Sequence, residues 1–205
     1  MLRAMRRAAE RRRHGQGRYG HLFQPYSGED VIALDCETTS VDPRQAELVS
    51  LAAVLVRNGR VETSQALNLQ LQKPFGLAGD SIRIHGLRPV DLADGVNVDE
   101  ALDQLLAFIG NRPLVGWCIE FDMAVINRHL KPRTGFELPN RSIELTRMFN
   151  RRVRRGNPDL APDMRFEAMA QALDVPVIGR HTALGDATTA ALMYLRLVKP
   201  EPAAA

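Results

Sequence analysis

The 205-residue sequence holds only two cysteines, Cys36 and Cys118, and they are not in C-x-x-C spacing. That excludes a disulfide framework and a zinc knuckle, and the expectation for both thiols is a small, buried, inert side chain. Long apolar runs are also missing. None approaches the roughly 18 residues needed to cross a bilayer, and the N-terminus lacks the apolar core of a secretory leader. The expectation is a soluble cytoplasmic protein with no membrane contact. Lysine is scarce, with Lys73, Lys131 and Lys199 set against 24 Arg. A skew in genome base composition produces such a ratio without any recognition role.

The net charge of +3 is unevenly spread. Residues 1 to 20 hold seven Arg and one acid, Glu10. Removing these from the totals of 27 basic and 24 acidic residues leaves 20 and 23, a mildly acidic body. Charge alone is therefore weak evidence for a nucleic-acid partner. Residues 1–27 are expected to be a basic, flexible tail, either solvated or an arm for phosphates or a protein partner. Residues 28–199 form one domain, since 45% hydrophobic content suits a single core, and residues 200–205 form a C-terminal tail.

Along that domain, Val31–Asp35 and Leu48–Arg57 are apolar strands, and Asn58-Gly59 supplies a hairpin turn into a third strand over Val61–Leu71. Val98–Ile109 has helical apolar spacing. Pro113–Trp117 suits a short buried strand, Ile119–Leu130 a helix closed by Pro132, and Ser142–Leu145 another strand. Helices are expected over Arg165–Leu173 and Thr182–Val198. Three antiparallel strands followed by alternating helices and short strands make an α/β fold, a mixed sheet covered by helices.

The first strand ends in Asp35-Cys36-Glu37-Thr38-Thr39. Alternation puts the Asp35 and Glu37 carboxylates on one face, with α-carbons roughly 6.5 Å apart. A lone D-x-E is ordinarily a solvated strand end. D-x-E-T-T is rarer, expected by chance in well under about one chain in a hundred of this length. Two acids beside a core strand repel each other, and a hard divalent cation bound by oxygen offsets that cost. Downstream, Asp122 shares a helix face with Val125, Ile126 and His129, so it points along the packed side, whereas Glu120 suits the passive role of an acid near a helix N-terminus. In His181-Thr-Ala183-Leu184-Gly-Asp186-Ala187, Asp186 lies beside a stripe of alanines small enough for close backbone approach. His181 precedes the helix, and an imidazole titrating near about pH 6.5 suits proton transfer from water.

Asp35-x-Glu37-Thr38-Thr39, Phe121-Asp122 and His181-x-Ala183-Leu184-x-Asp186-Ala187 together resemble the three motifs of the DEDDh, or DnaQ-like, 3′-to-5′ exonucleases, the family of the proofreading subunits of bacterial replicative polymerases. The resemblance runs from about Val31 to Val198. The sister group with Tyr four residues before the last Asp is set aside by Thr182. The resemblance implies an RNase H-like fold and two Mg²⁺ or Mn²⁺ ions held by Asp35, Glu37, Asp122 and Asp186. It also implies His181 as the base for the attacking water, and release of nucleoside 5′-monophosphates from single-stranded 3′ ends. Ser81-Ile-Arg-Ile84-His85-Gly-Leu87 resembles the family's segment that packs on the terminal nucleotide, so Ile84, His85 and the backbones of Thr38 and Thr39 are candidate substrate contacts. The alternative for that segment is a polar loop. Trp117-Cys118 and Ser40 depart from the His-Asn and Gly usual at those places, which bears on the substrate pocket. The Arg147, Arg151, Arg152, Arg154, Arg155 run suits either a track for phosphates or a solvated helix face. DNA and RNA are not distinguished by these motifs. A 3′-to-5′ exoribonuclease and an inactive nucleic-acid-binding adaptor remain as alternatives, the latter opposed by all five chemical positions being filled. With no long C-terminal tether, the expectation is a free-standing enzyme or one tied to a partner by its basic N-terminus.

Overall fold

In a computed structural model, the protein is described over residues 9–199 except Phe75, Ala78 and Asn157. Residues 1–8 of the expected N-terminal tail and the expected C-terminal tail, residues 200–205, lie outside the described residues. Five strands form one sheet: β1 (Val31–Thr38), β2 (Leu48–Arg57), β3 (Arg60–Gln70), β4 (Leu114–Gly116) and β5 (Ser142–Glu144), in the order β3-β2-β1-β4-β5. The first three pair antiparallel, and β4 and β5 add in parallel. The helices that follow β1 are α1 (Gly79–His85), α2 (Val98–Ile109), α3 (Ile119–Thr134), α4 (Leu145–Gly156), α5 (Phe166–Ala172) and α6 (Ala183–Val198). This is the expected mixed α/β sheet covered by helices. None of the described helices is long and apolar enough to cross a membrane.

Local chemistry explains the order. Asn58 and Gly59 both take left-handed φ angles, 52° and 70°, the geometry of a two-residue hairpin that fits the strand twist. β2 is buried along nearly its whole length, as its apolar run, interrupted by Ser50, requires of a strand covered on both faces. Along β1 the side chains alternate. Ile32, Leu34 and Cys36 join α2 and α3 in one core, while Val31 and Ala33 join α5 and α6 in the other. Asp35 and Glu37 continue the second row. The α6 face packed on that row is small, with Ala183, Ala187, Ala190 and Ala191 all buried. α6 is capped by Thr182, whose hydroxyl oxygen accepts the Gly185 N–H at 3.2 Å.

Several boundaries differ from expectation. Pro132 does not end α3, which runs on to Thr134 and closes at left-handed Gly135. A proline one turn from a helix end removes a single interior bond, and the Thr134 hydroxyl donates to the Leu130 carbonyl there. Residues 79–85, given no element from the sequence, form a short helix, which sets aside the alternative of a polar loop for most of the Ser81–Leu87 segment. The basic run belongs to α4, which buries Leu145 and Phe149. α4 leaves β5 at the same sheet end as the β1 acids and runs back about 18 Å. The Arg152 guanidinium reaches the Arg196 carbonyl in the last turn of α6, so the later part of the run lies away from the acids, whereas Arg147 in the first turn of α4 pairs with Glu120 Oε1 at 3.1 Å.

The expected tail also departs from expectation. Residues 9–14 are helical, His14 stacks on Phe23, and His14, Tyr19 and Phe23 all meet the Phe136 ring at centroid distances of 5.1 to 5.5 Å. Leu22 and Phe23 are buried in the core, and Arg18 and Tyr19 bind Asp103. Phe23→Ala is therefore expected to cost about 3 kcal/mol in urea or thermal unfolding, within the usual range for a buried phenylalanine. A solvated tail would give no change.

Candidate active site

The acids predicted from three distant stretches meet at one end of the sheet. Asp35 and Glu37 come from β1, Asp122 from the first turn of α3 and Asp186 from the first turn of α6. Carboxylate oxygens of Asp35, Glu37 and Asp186 lie within 4.8 Å of one another. Asp122 is outside that tight trio but borders the same cavity, which measures about 620 Å³. Its Oδ1 accepts the Cys36 N–H at 2.9 Å, so the middle residue of the D-x-E motif anchors the third acid. His181 is exposed on the cavity wall in a left-handed turn, φ 64°, and its N–H donates to Asp186 Oδ2 at 3.3 Å.

Two glycines allow the close approaches. A Cβ on Gly116 would lie 2.8 Å from the Leu34 carbonyl oxygen, at the join of β4 and β1. A Cβ on Gly185 would lie 2.2 Å from the Gly179 carbonyl oxygen, so only glycine lets the loop before His181 rest on α6.

Thr38, Thr39, Ile84 and His85 also line the cavity. The Thr39 groups are partly committed elsewhere, because its N–H donates to the Glu47 carbonyl and its hydroxyl accepts the Glu47 N–H, each at 3.0 Å. His85 is 6% exposed; its Nδ1 accepts the Leu87 N–H at 3.1 Å, which puts the ring proton on Nε2, and Nε2 has no partner. The two departures flagged in the sequence have local reasons. Trp117 donates through Nε1 to the Met164 carbonyl and packs edge-on against Phe166. Cys118 is the left-handed N-cap of α3, and it is exposed, contrary to the expectation of a buried thiol, while Cys36 is buried as expected. The sequence reading gave no role to Arg180, Phe166, Ser81 and Val41, which line the cavity as well. Arg180 was adjacent to His181 in the motif, but nothing in its sequence position shows that its side chain turns inward.

The electrostatics are those of like charges forced together. Burial first, then repulsion from Asp122, Asp186 and Glu37, pushes Asp35 well above the usual carboxylate range. Burial and the Asp186 charge raise Glu37 to about 7. Burial raises Asp122 to about 8 against the pull of the Cys36 N–H. Burial raises Asp186 too, opposed by Arg180. Asp186 Oδ1 is buried without any hydrogen-bond partner. Crowded hard oxygen donors with an orphaned buried lone pair fit a divalent cation.

The model of the exonuclease family matches residues 32–194. The chain belongs to the exonuclease family. By that membership it is an enzyme, a 3′-to-5′ phosphodiester hydrolase of the DnaQ-like kind, a family that works with divalent metal. Among relatives, this exonuclease is 24% identical over 168 residues to the DNA polymerase III subunit epsilon of Aquifex aeolicus, covering 82% of this chain and 80% of that one. It is 28% identical over 169 residues to the epsilon subunit of Rickettsia felis, covering 81% and 72%. Its fold is similar to E. coli exonuclease I in complex with a dT13 oligonucleotide, with a TM-score of 0.66 and 14% identity over 82% of this chain and 40% of that one. At that identity the likeness speaks for the RNase H-like fold alone, and this chain spans well under half of exonuclease I.

The raised carboxyls keep their protons in the folded exonuclease to a higher pH than in the unfolded chain. Folding then takes up protons between about pH 4 and pH 8, and stability falls as pH rises through that window. In a chelator the melting temperature should fall by on the order of 5 °C between pH 6 and pH 8.5. Asp122→Asn should flatten part of that slope, and a flat wild-type profile would contradict the crowding.

Proposed function

We propose that this exonuclease removes nucleotides from single-stranded DNA 3′ ends in the cytoplasm by a two-metal mechanism, with Asp35, Glu37, Asp122 and Asp186 as metal ligands and His181 as general base. The observation that carries this reading is the trio of carboxylates within 4.8 Å, one of them with a buried, unpartnered oxygen, on a cavity wall that also carries an exposed imidazole. When bound, a pair of Mg²⁺ or Mn²⁺ ions supplies Lewis-acid stabilisation of the attacking and leaving oxygens of an in-line phosphoryl displacement.

The chain's own groups do the rest. His181 accepts the proton of the attacking water on a ring nitrogen as the water oxygen bonds to phosphorus. The bond from phosphorus to the 3′ oxygen of the penultimate nucleotide breaks, and that oxygen takes a proton from solvent, which releases a nucleoside 5′-monophosphate and leaves a new 3′-hydroxyl end. Thr38 and Thr39 border the sugar, and Ile84 and His85 contact the terminal nucleotide. Ile84 is 54% and Val41 88% exposed beside the cavity, apolar surface suited to the face of an unstacked base. The His85 Nε2–H is a neutral donor for a sugar or base acceptor. The basic N-terminal segment, residues 1–27, serves a protein partner, a reading supported by the likeness to polymerase subunits.

The test is release of mononucleotides from a labelled strand with Mn²⁺, on matched DNA and RNA oligonucleotides. Asp186→Ala should abolish release, and His181→Ala should lower it by roughly 10² to 10⁴. Release by Asp186→Ala at the wild-type rate would overturn the ligand assignment, and faster digestion of RNA would move the substrate to the exoribonuclease reading.

A further inference from the structure

Arg180 is a cation in direct contact with the acids, and it is held from three sides. Its Nη1 pairs with Asp186 Oδ2, its Nε donates to Glu167 Oε1 at 2.6 Å, and its guanidinium carbon lies 4.4 Å over the Phe166 ring. Glu167 and Phe166 belong to the first turn of α5, so the guanidinium bridges α5 to the first turn of α6. Asp186 Oδ2 also accepts the His181 N–H. The two oxygens of Asp186 are thereby divided: Oδ2 takes both protein donors, and Oδ1 is buried with none.

We propose that Arg180 is a positioning residue that fixes the Asp186 carboxylate plane, so that Oδ1 alone is presented to the divalent ion, and that Glu167 with Phe166 braces it for that task. This rests on the metal-ligand reading of Asp186 above. A free aspartate rotates about its last bond and presents either oxygen or both. A carboxylate whose second oxygen is bound by a fixed guanidinium presents one. Because Arg180 directly precedes His181, the same bridge sets the turn from which the imidazole leaves. The planar fork matters as much as the charge, since one cation must reach two carboxylates in different directions while lying flat on a ring, which an ammonium does not do.

The competing role for the same contacts is charge compensation. A cation beside metal ligands repels a divalent ion, so if Arg180 only neutralised the acids, its removal would tighten metal binding. Positioning predicts the opposite sign. Outer-shell partners of ligating carboxylates typically contribute about 10- to 100-fold to metal affinity or activity.

The experiment is titration of the full chain with Mn²⁺ alone by calorimetry, for wild type, Arg180→Ala, Arg180→Lys, Glu167→Gln and Asp186→Ala, with circular dichroism as the folding check. Positioning predicts that Arg180→Ala weakens Mn²⁺ binding about 10-fold or more, that Arg180→Lys recovers little of it, and that Glu167→Gln weakens binding about 3-fold with Arg180 still present. Unchanged or tighter binding by folded Arg180→Ala overturns the proposal. If that variant does not fold, wild-type affinity in Glu167→Gln overturns it instead. Failure of the underlying reading is separate, because then Asp186→Ala would bind Mn²⁺ as wild type does.

Discussion

Repulsion among carboxylates is the condition to which the rest of this structure answers. Asp35, Glu37, Asp122 and Asp186 arrive from three parts of the chain at one largely buried end of the sheet, where water screens them poorly. The chain offsets that only in part, with Arg180 against one oxygen of Asp186 and the Cys36 N–H against one of Asp122. What remains appears as raised carboxyl pKa values. Groups perturbed by burial and by specific charged neighbours in a cleft are the physical signature of a working site, and here they coincide with the family's motifs.

The scaffold around them is built for close approach. β1 sits at the centre of the sheet, and its alternating rows send apolar side chains into two cores before the row facing α6 changes to acids. Alanines on α6 let that helix lie near the strand, and Gly116 and Gly185 admit backbone contacts that no side chain would allow. The two helices that carry Asp122 and Asp186 are each entered through a non-glycine residue in the left-handed region, Cys118 and His181. Such residues are uncommon and cost energy, and both stand on the wall of the acid cavity.

The same end of the molecule pairs charge with apolar surface. Phe166 lies under Arg180 and edge-on to Trp117, while Ile84 and Val41 leave exposed faces beside the acids. A metal-dependent hydrolase for a polymer end needs both kinds of surface, hard oxygen donors for the phosphate chemistry and flat apolar contacts for the base. The last turns of the Arg-rich helix α4 are not part of this arrangement, since Arg152 reaches the far end of α6, while Arg147 stays near the acid end through Glu120.

What was legible in the sequence is what depends on local patterning. Period-2 alternation placed Asp35 and Glu37 on one face, the Asn58-Gly59 turn set the hairpin, and helical spacing located α2 and α6 to within a residue, because these follow from backbone geometry over a few neighbours. The acids and His181 were legible as a set through motif order. What only the tertiary structure decided are contacts between segments far apart in the chain. The division of Asp186's two oxygens, the inward turn of Arg180 onto Glu167 and Phe166, the anchoring of Asp122 by Cys36, and the packing of His14 and Phe23 on Phe136 are examples. Short elements such as α1 and the early helical residues carry too few apolar positions to show a period, so packing forms them, and packing partners are not written in any local stretch of sequence.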